Sequence, residues 1–312
     1  MKLAIVVPCF NEVEVLPLSA PRLREVVDIM VAQNLISAES FILFVNDGSR
    51  DATWTAIRGL HAGWPAFRGL DLSKNVGQQN ATIAGMELAV DQGADAVVTI
   101  DADLQDNPED IIKMVRLFLE GNDVVYGVHS ARDTDSFMKR FTADAFYKLQ
   151  RKLGTESVYN HSEFRLMSAR VIREFAKYGE RNMYLRGIIP LIGYDSAILN
   201  CERHPRLAGT TKYSYRKLTG IALDAITSFS EKPIFMILTL GIIFVAIAVG
   251  IGIYVAVSLW HGIAVHGWAS TMLSIWLVGG LNLLATGLVG TYVGKIYIES
   301  KHRPRYHIKD KI

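Results

Sequence analysis

The sequence predicts an α/β domain, a mostly parallel sheet with helices on both faces, followed by two C-terminal transmembrane helices. Three observations carry this expectation. Short apolar runs alternate with helical stretches from the first residue to Gly127, polar residues gather directly after each apolar run, and no Asp, Glu, Lys or Arg occurs from Pro233 to Gly294. Continuous apolar strands separated by helices are what a sheet buried on both faces requires. A long charge-free stretch is what a bilayer requires.

Taken in order, the strands are expected at Leu3–Val7, Phe41–Val45, Gly69–Leu72, Ala96–Ile100 and Val124–Gly127. Between them, helices are expected near Val13–Gln33, Ala52–Leu60, Gln78–Gln92 and Pro108–Glu120. The opening run carries a single Lys and meets Pro8 and then polar residues, so it reads as a buried strand and not as a signal peptide. Ile234–Trp260 and Trp268–Val293 each exceed the roughly 20 residues that a helix needs to cross a bilayer. Lys232 precedes them, Lys295, Lys301, Arg303, Arg305, Lys309 and Lys311 follow, and the link His261–Gly267 has no Lys or Arg. The positive-inside rule then places both ends in the cytoplasm and the link on the other side of the membrane. The expected organisation is a cytoplasmic catalytic domain over 1–212, an interfacial amphipathic segment over 213–233, the two spans within 234–294 and a basic cytoplasmic tail over 295–312.

Composition narrows the function classes. Of the 312 residues, half are apolar and 21% are charged, with a net charge of +2, which excludes a disordered chain and argues against a nucleic-acid binder. That near-neutrality is uneven: 1–138 sums to −10, 139–232 to +8 and 295–312 to +4. Cys9 and Cys201 form neither a disulfide framework nor a metal-binding spacing, consistent with a reducing compartment.

Ligands of open α/β sheets bind beyond the carboxyl ends of the strands. Pro8–Glu12, Asn46–Ser49, Ser73–Gly77 and Asp101–Gln105 occupy those ends. No GxGxxG follows the first strand and no GxxxxGK[ST] occurs, so a bound nucleotide needs another means of neutralising its phosphates. Asp101 and Asp103, separated by Ala102 where a strand opens into a loop, suit a hard cation such as Mg²⁺ or Mn²⁺.

Val6–Glu12, Val45–Asp51, Asn75–Gly77 and Asp101–Pro108, at these spacings, resemble the inverting family 2 glycosyltransferases of GT-A fold. With two C-terminal spans the chain is similar to their polyprenyl-phosphate branch, which includes dolichyl-phosphate mannose synthases and bactoprenol glucosyltransferases. The resemblance implies that Pro8, Phe10, Glu12, Val45 and Asp47 hold the base and ribose of a nucleotide sugar. It implies that Asp101, Ala102 and Asp103, with Gln105, bind nucleotide and metal. Arg203–Tyr213 is similar to the family's Arg-x-x-Arg-x-x-Gly-x-Ser-Lys-Tyr, which assigns phosphate contacts to Arg203, Arg206 and Lys212. Glu163, where relatives carry Asp, and Asp103 are the catalytic candidates; His129 stands where many relatives place a phosphate-binding Arg.

The resulting expectation is an inverting transfer of a hexose, glucose from UDP-glucose, to undecaprenyl phosphate at the cytoplasmic membrane face. Its partners are then the nucleotide sugar, the lipid acceptor and the membrane, with homo-oligomerisation open. Two alternatives are a processive polysaccharide synthase, against which the lack of any Gln-x-x-Arg-Trp argues, and a catalytically silent membrane adaptor.

Overall fold

The computed structural model describes residues 1–129, 161–180, 185–202, 232–261 and 267–312. The chain divides into two compact units, Met1–Leu218 with Arg303–Ile312, and Thr219–His302.

In the first unit, β1 (Leu3–Cys9), β2 (Phe41–Asn46), β3 (Phe67–Leu72) and β4 (Ala96–Thr99) alternate with α1 (Leu16–Ala32), α2 (Thr53–Gly63) and α3 (Gln78–Asp91). Then come α4 (Asp110–Leu119), β5 (Val124–His129), β6 (His161–Ser168), α5 (Ala169–Ala176), α6 (Leu185–Leu191) and β7 (Ser196–Cys201). A last strand, β8 (Ile308–Lys311), completes one eight-stranded sheet in the order β7-β5-β6-β4-β1-β2-β3-β8. β1 through β4 are mutually parallel and β5 is parallel to β7, while β6 and β8 run antiparallel to their neighbours.

The apolar runs form the centre of this sheet because both of their faces are covered. Leu3, Ile5, Val7, Ile42, Phe44, Val98 and Phe164 share one core with Leu16, Leu23 and Met30 of α1 and with Ile111 and Met114 of α4. On the opposite face Gly85 of α3 comes so close to the sheet that a Cβ there would stand 2.5 Å from Val6 and 2.7 Å from Val45. A side chain at position 85 would lift α3, and with it the loop that precedes it, off the strand ends. Ser168 caps α5, its Oγ accepting from Val171 N at 3.3 Å.

Three strands escaped the sequence reading. β6 enters between β4 and β5 although His161, Ser162, Glu163 and Arg165 break its apolar run. β7 alternates in exposure along an edge. β8 is exposed throughout and lies within the stretch read as a basic tail.

The second unit contains α7 (Lys232–Trp260) and α8 (Trp268–Ser300), so both stretches expected to span a membrane are helical. Among the described residues one segment, Leu277–Ser300 in α8, is long and apolar enough to cross a membrane by length and composition. The interfacial segment expected over 213–233 lies almost wholly outside the described residues.

Candidate active site

Strand direction decides what meets. The carboxyl ends of β1–β4 lie at one end of the sheet, and because β6 runs antiparallel to β4, its first residues reach that same end. Thr99 pairs with Arg165, so Asp101, two residues beyond the first, and Glu163, two residues before the second, emerge at the same place. β5 runs toward that end too, with Val128 opposite His161, and β7 follows it, with His129 opposite Cys201. β7 thus ends at Cys201 at this end of the sheet; Arg203, Arg206 and Lys212 lie outside the described residues.

The loops after β1, β2 and β3 are tied to each other by side chains. Register places Pro8 beside Val45 and Cys9 beside Asn46. Asn11 sits at φ 54°, a left-handed conformation that Asn tolerates better than most residues. Its amide donates to Ser49 Oγ at 2.9 Å, and its Oδ1 accepts from Arg50 N at 2.9 Å. Glu12 N donates to Thr53 Oγ1 at 3.0 Å, and Thr53 N donates in turn to Asp51 Oδ1 at 3.0 Å. Burial pushes the Asp51 carboxyl up, but the donors Thr53 and Val13 outweigh it and leave it below its ordinary range.

Asp47 and Val45 lie beneath the loops: Val45 is fully buried and Asp47 is 2% exposed. The Asp47 carboxylate accepts from Val76 N at 2.7 Å and Gly77 N at 3.0 Å, holding the loop after β3 against the turn after β2. Burial raises its pKa, and the two amides pull it part of the way back. Gly48 allows this contact. At φ +60°, a Cβ on it would meet Asn75 N and Lys74 C at 2.4 Å. Cys9 beneath the site is pushed well up by burial and by the carboxylates of Glu12, Asp101 and Asp51, so its thiol stays protonated and is no nucleophile.

Asp101 Oδ1 accepts from Gln78 Nε2 at 2.6 Å, which links the start of α3 to the carboxylate pair. Ala102 is buried, while Asp101, Asp103 and Gln105 are partly exposed. Leu104 takes φ 46° and turns the chain back, with Gln105 N donating to Asp103 Oδ1 at 3.3 Å. Among the described residues no group of three or more His, Cys, Asp or Glu gathers as a metal cage. Two hard carboxylates at a loop instead fit a cation that takes its remaining ligands from phosphate oxygens and water.

Glu163 is held by Arg165. Its Oε2 accepts from Arg165 Nη2 at 2.5 Å, with the Arg165 side chain 1% exposed and that of Glu163 19%. Their i, i+2 spacing on a strand puts both side chains on one face, a signal available in the sequence. Thr99 Oγ1 donates to the Glu163 carbonyl at 2.6 Å and fixes its backbone.

The family model described as glycosyl transferase family 2 matches residues 4–176, which spans β1 through α5 and every strand end just described except that of β7. This chain belongs to glycosyltransferase family 2. Full-length relatives agree. The glycosyltransferase is 45% identical over 308 residues to the uncharacterized glycosyltransferase YkoT of Bacillus subtilis (strain 168), covering 98% of this chain and 90% of that protein. It is 38% identical over 313 residues to the bactoprenol glucosyl transferase of Shigella phage SfV, covering 100% of this chain and 99% of that protein. It is 37% identical over 311 residues to a prophage bactoprenol glucosyl transferase homolog of Escherichia coli (strain K12), with 99% of each covered.

Proposed function

We propose that this glycosyltransferase moves a hexose, glucose from UDP-glucose, onto a polyprenyl phosphate at the cytoplasmic face of the membrane. The observation that carries the reading is the convergence of Asp101 with Asp103, Gln78 and the Glu163–Arg165 pair at one end of the sheet. Similarity along the whole chain to a bactoprenol glucosyl transferase supports the lipid acceptor.

A nucleoside diphosphate departs only if its developing charge is stabilised. Mg²⁺ or Mn²⁺, which Asp101 and Asp103 would hold, would supply the opposing positive charge when bound. Gln78 keeps Asp101 turned to the site, and Asp47 and Gly48 set the loop on which Gln78 begins α3. The acceptor oxygen attacks the anomeric carbon as the bond from that carbon to the diphosphate oxygen breaks on the opposite side, so the configuration inverts. A lipid phosphate is already ionised near neutral pH, which removes most of the need for a general base. Glu163, fixed by Arg165, then orients the acceptor.

Chain continuity supports two membrane crossings. β8 follows α8 and pairs with β3 of the first unit. A single crossing by Leu277–Ser300 would strand β8 across the bilayer from its partner, which favours an even number of crossings, and among the described residues α7 is a second long apolar helix.

Membranes containing the protein, incubated with labelled nucleotide sugars, undecaprenyl phosphate and Mg²⁺ or Mn²⁺, should transfer label from UDP-glucose to the lipid phase. Transfer from another donor would correct the sugar; no transfer from any donor would overturn the reading.

A further inference from the structure

β8 pairs with β3 through Leu70 opposite Lys311, Asp71 opposite Asp310 and Leu72 opposite Ile308, which leaves Lys309 as the extra residue at an irregularity in the ladder. A bulge of this kind re-aims a side chain. Here Lys309 Nζ comes within 3.1 Å of Asp71 Oδ2. Asp71 is 2% exposed, and that oxygen accepts no hydrogen bond of normal geometry, so the ammonium is its counterweight. The other oxygen accepts from Asn46 Nδ2 at 2.6 Å, which turns Asn46 Oδ1 toward Ser49 N at 3.3 Å. Ser49 Oγ accepts in turn from Asn11 N at 2.9 Å. A polar chain thus runs from the C-terminal strand to the turns after β2 and β1.

We propose that Lys309 is a positioning residue for the donor pocket: paired with Asp71, it sets Asn46 and through it the two turns that border the nucleotide. The inference rests on the reading that a nucleotide sugar occupies those turns. A buried carboxylate is costly without a cation, whereas the Lys309 side chain is 66% exposed and its ammonium loses little hydration in the pair. Without Lys309, Asp71 must take up a proton, draw in water or turn away, and each of these loosens its hold on Asn46. Strand pairing does not depend on the charge, since Gly69 and Ile312 exchange backbone bonds at 3.0 and 2.9 Å. Lys309→Met therefore removes the charge and keeps the strand.

The test uses the full-length protein in detergent, comparing wild type, Lys309→Met and Lys309→Arg by amide hydrogen exchange and by calorimetric titration with UDP and Mn²⁺. In Lys309→Met the Ser49 amide should exchange about five- to tenfold faster and the Kd for UDP should rise by a similar factor, the loss expected for one hydrogen-bond link of ordinary strength. The Gly69 and Ile312 amides should be unchanged, and Lys309→Arg should restore both values. Unchanged exchange at Ser49 overturns the relay. Faster exchange with an unchanged Kd overturns the positioning role. A wild-type protein that binds no UDP overturns the donor reading and the positioning role together, while the exchange data still judge the relay.

Discussion

Gly48→Ala should disable the donor loop. Its φ of +60° costs an L-residue about 1–2 kcal/mol. The new methyl would stand 2.4 Å from Asn75 N and Lys74 C, backbone atoms that cannot rotate aside. Restoring an ordinary contact of 3.4 Å requires the two turns to part by about 1 Å. That displacement stretches the Asp47 bonds to Val76 and Gly77, now 2.7 and 3.0 Å, beyond hydrogen-bond range. Each such bond to a carboxylate is worth about 1.5–3 kcal/mol, so the angle and the loss of both bonds together cost about 4–8 kcal/mol. The assay is thermal unfolding together with UDP titration of the detergent-solubilised protein. A Tm lowered by roughly 10 °C and UDP binding weakened on the order of 100-fold or more are expected. Gly48→Asn separates the two contributions, since Asn tolerates the angle but brings the same methylene contact; it should remain defective. A Gly48→Ala protein within about 0.5 kcal/mol of wild type and binding UDP normally would refute the account of the turn.

Asp103→Asn should reduce metal-dependent transfer on the order of 100-fold, because the leaving diphosphate loses its cation; normal activity with Mn²⁺ titrating as in wild type would remove Asp103 from the metal site. Arg165→Met breaks a buried ion pair, at about 3–5 kcal/mol, and releases the Glu163 carboxylate from the position in which the guanidinium holds it. Thermal stability should fall and the KM for the lipid acceptor should rise more than the KM for the donor; unchanged acceptor kinetics would separate Glu163 from Arg165 in function. At Asp123, burial pushes the carboxyl up, but hydrogen bonds from Arg170 and Ser168 outweigh it and leave the pKa below its ordinary value. A depressed carboxylate pKa stabilises the fold above the unfolded value, about 3.9, and that stabilisation disappears as pH falls through the folded value. Arg170→Ala should therefore be less stable than wild type at neutral pH and equal to it in strong acid, as read by denaturant unfolding.

The first five strands and four helices were legible because burial on both sides of a sheet demands unbroken apolar runs, and Leu3–Val7, Phe41–Val45 and Ala96–Ile100 meet that demand without outside help. The helical character of 234–260 and 268–293 was legible for the same kind of reason, the exclusion of charge over a long stretch. β6 was not, since His161, Ser162, Glu163 and Arg165 interrupt its apolar signal. β8, Ile308–Lys311, has no strand pattern of its own; the open edge of β3 makes it a strand.

The carboxylates of the site could be named from their places after strands, and their pairings could not. Asn46 with Asp71, Asp47 with Val76, Gln78 with Asp101 and Lys309 with Asp71 join positions between 23 and 238 residues apart. Residue order and hydropathy alone located the buried strands β1 through β5, because burying an apolar run is a local requirement. Tertiary structure alone decided which polar groups satisfy one another, because a hydrogen bond requires atoms within about 3 Å, and only strand order and register bring such distant residues that close.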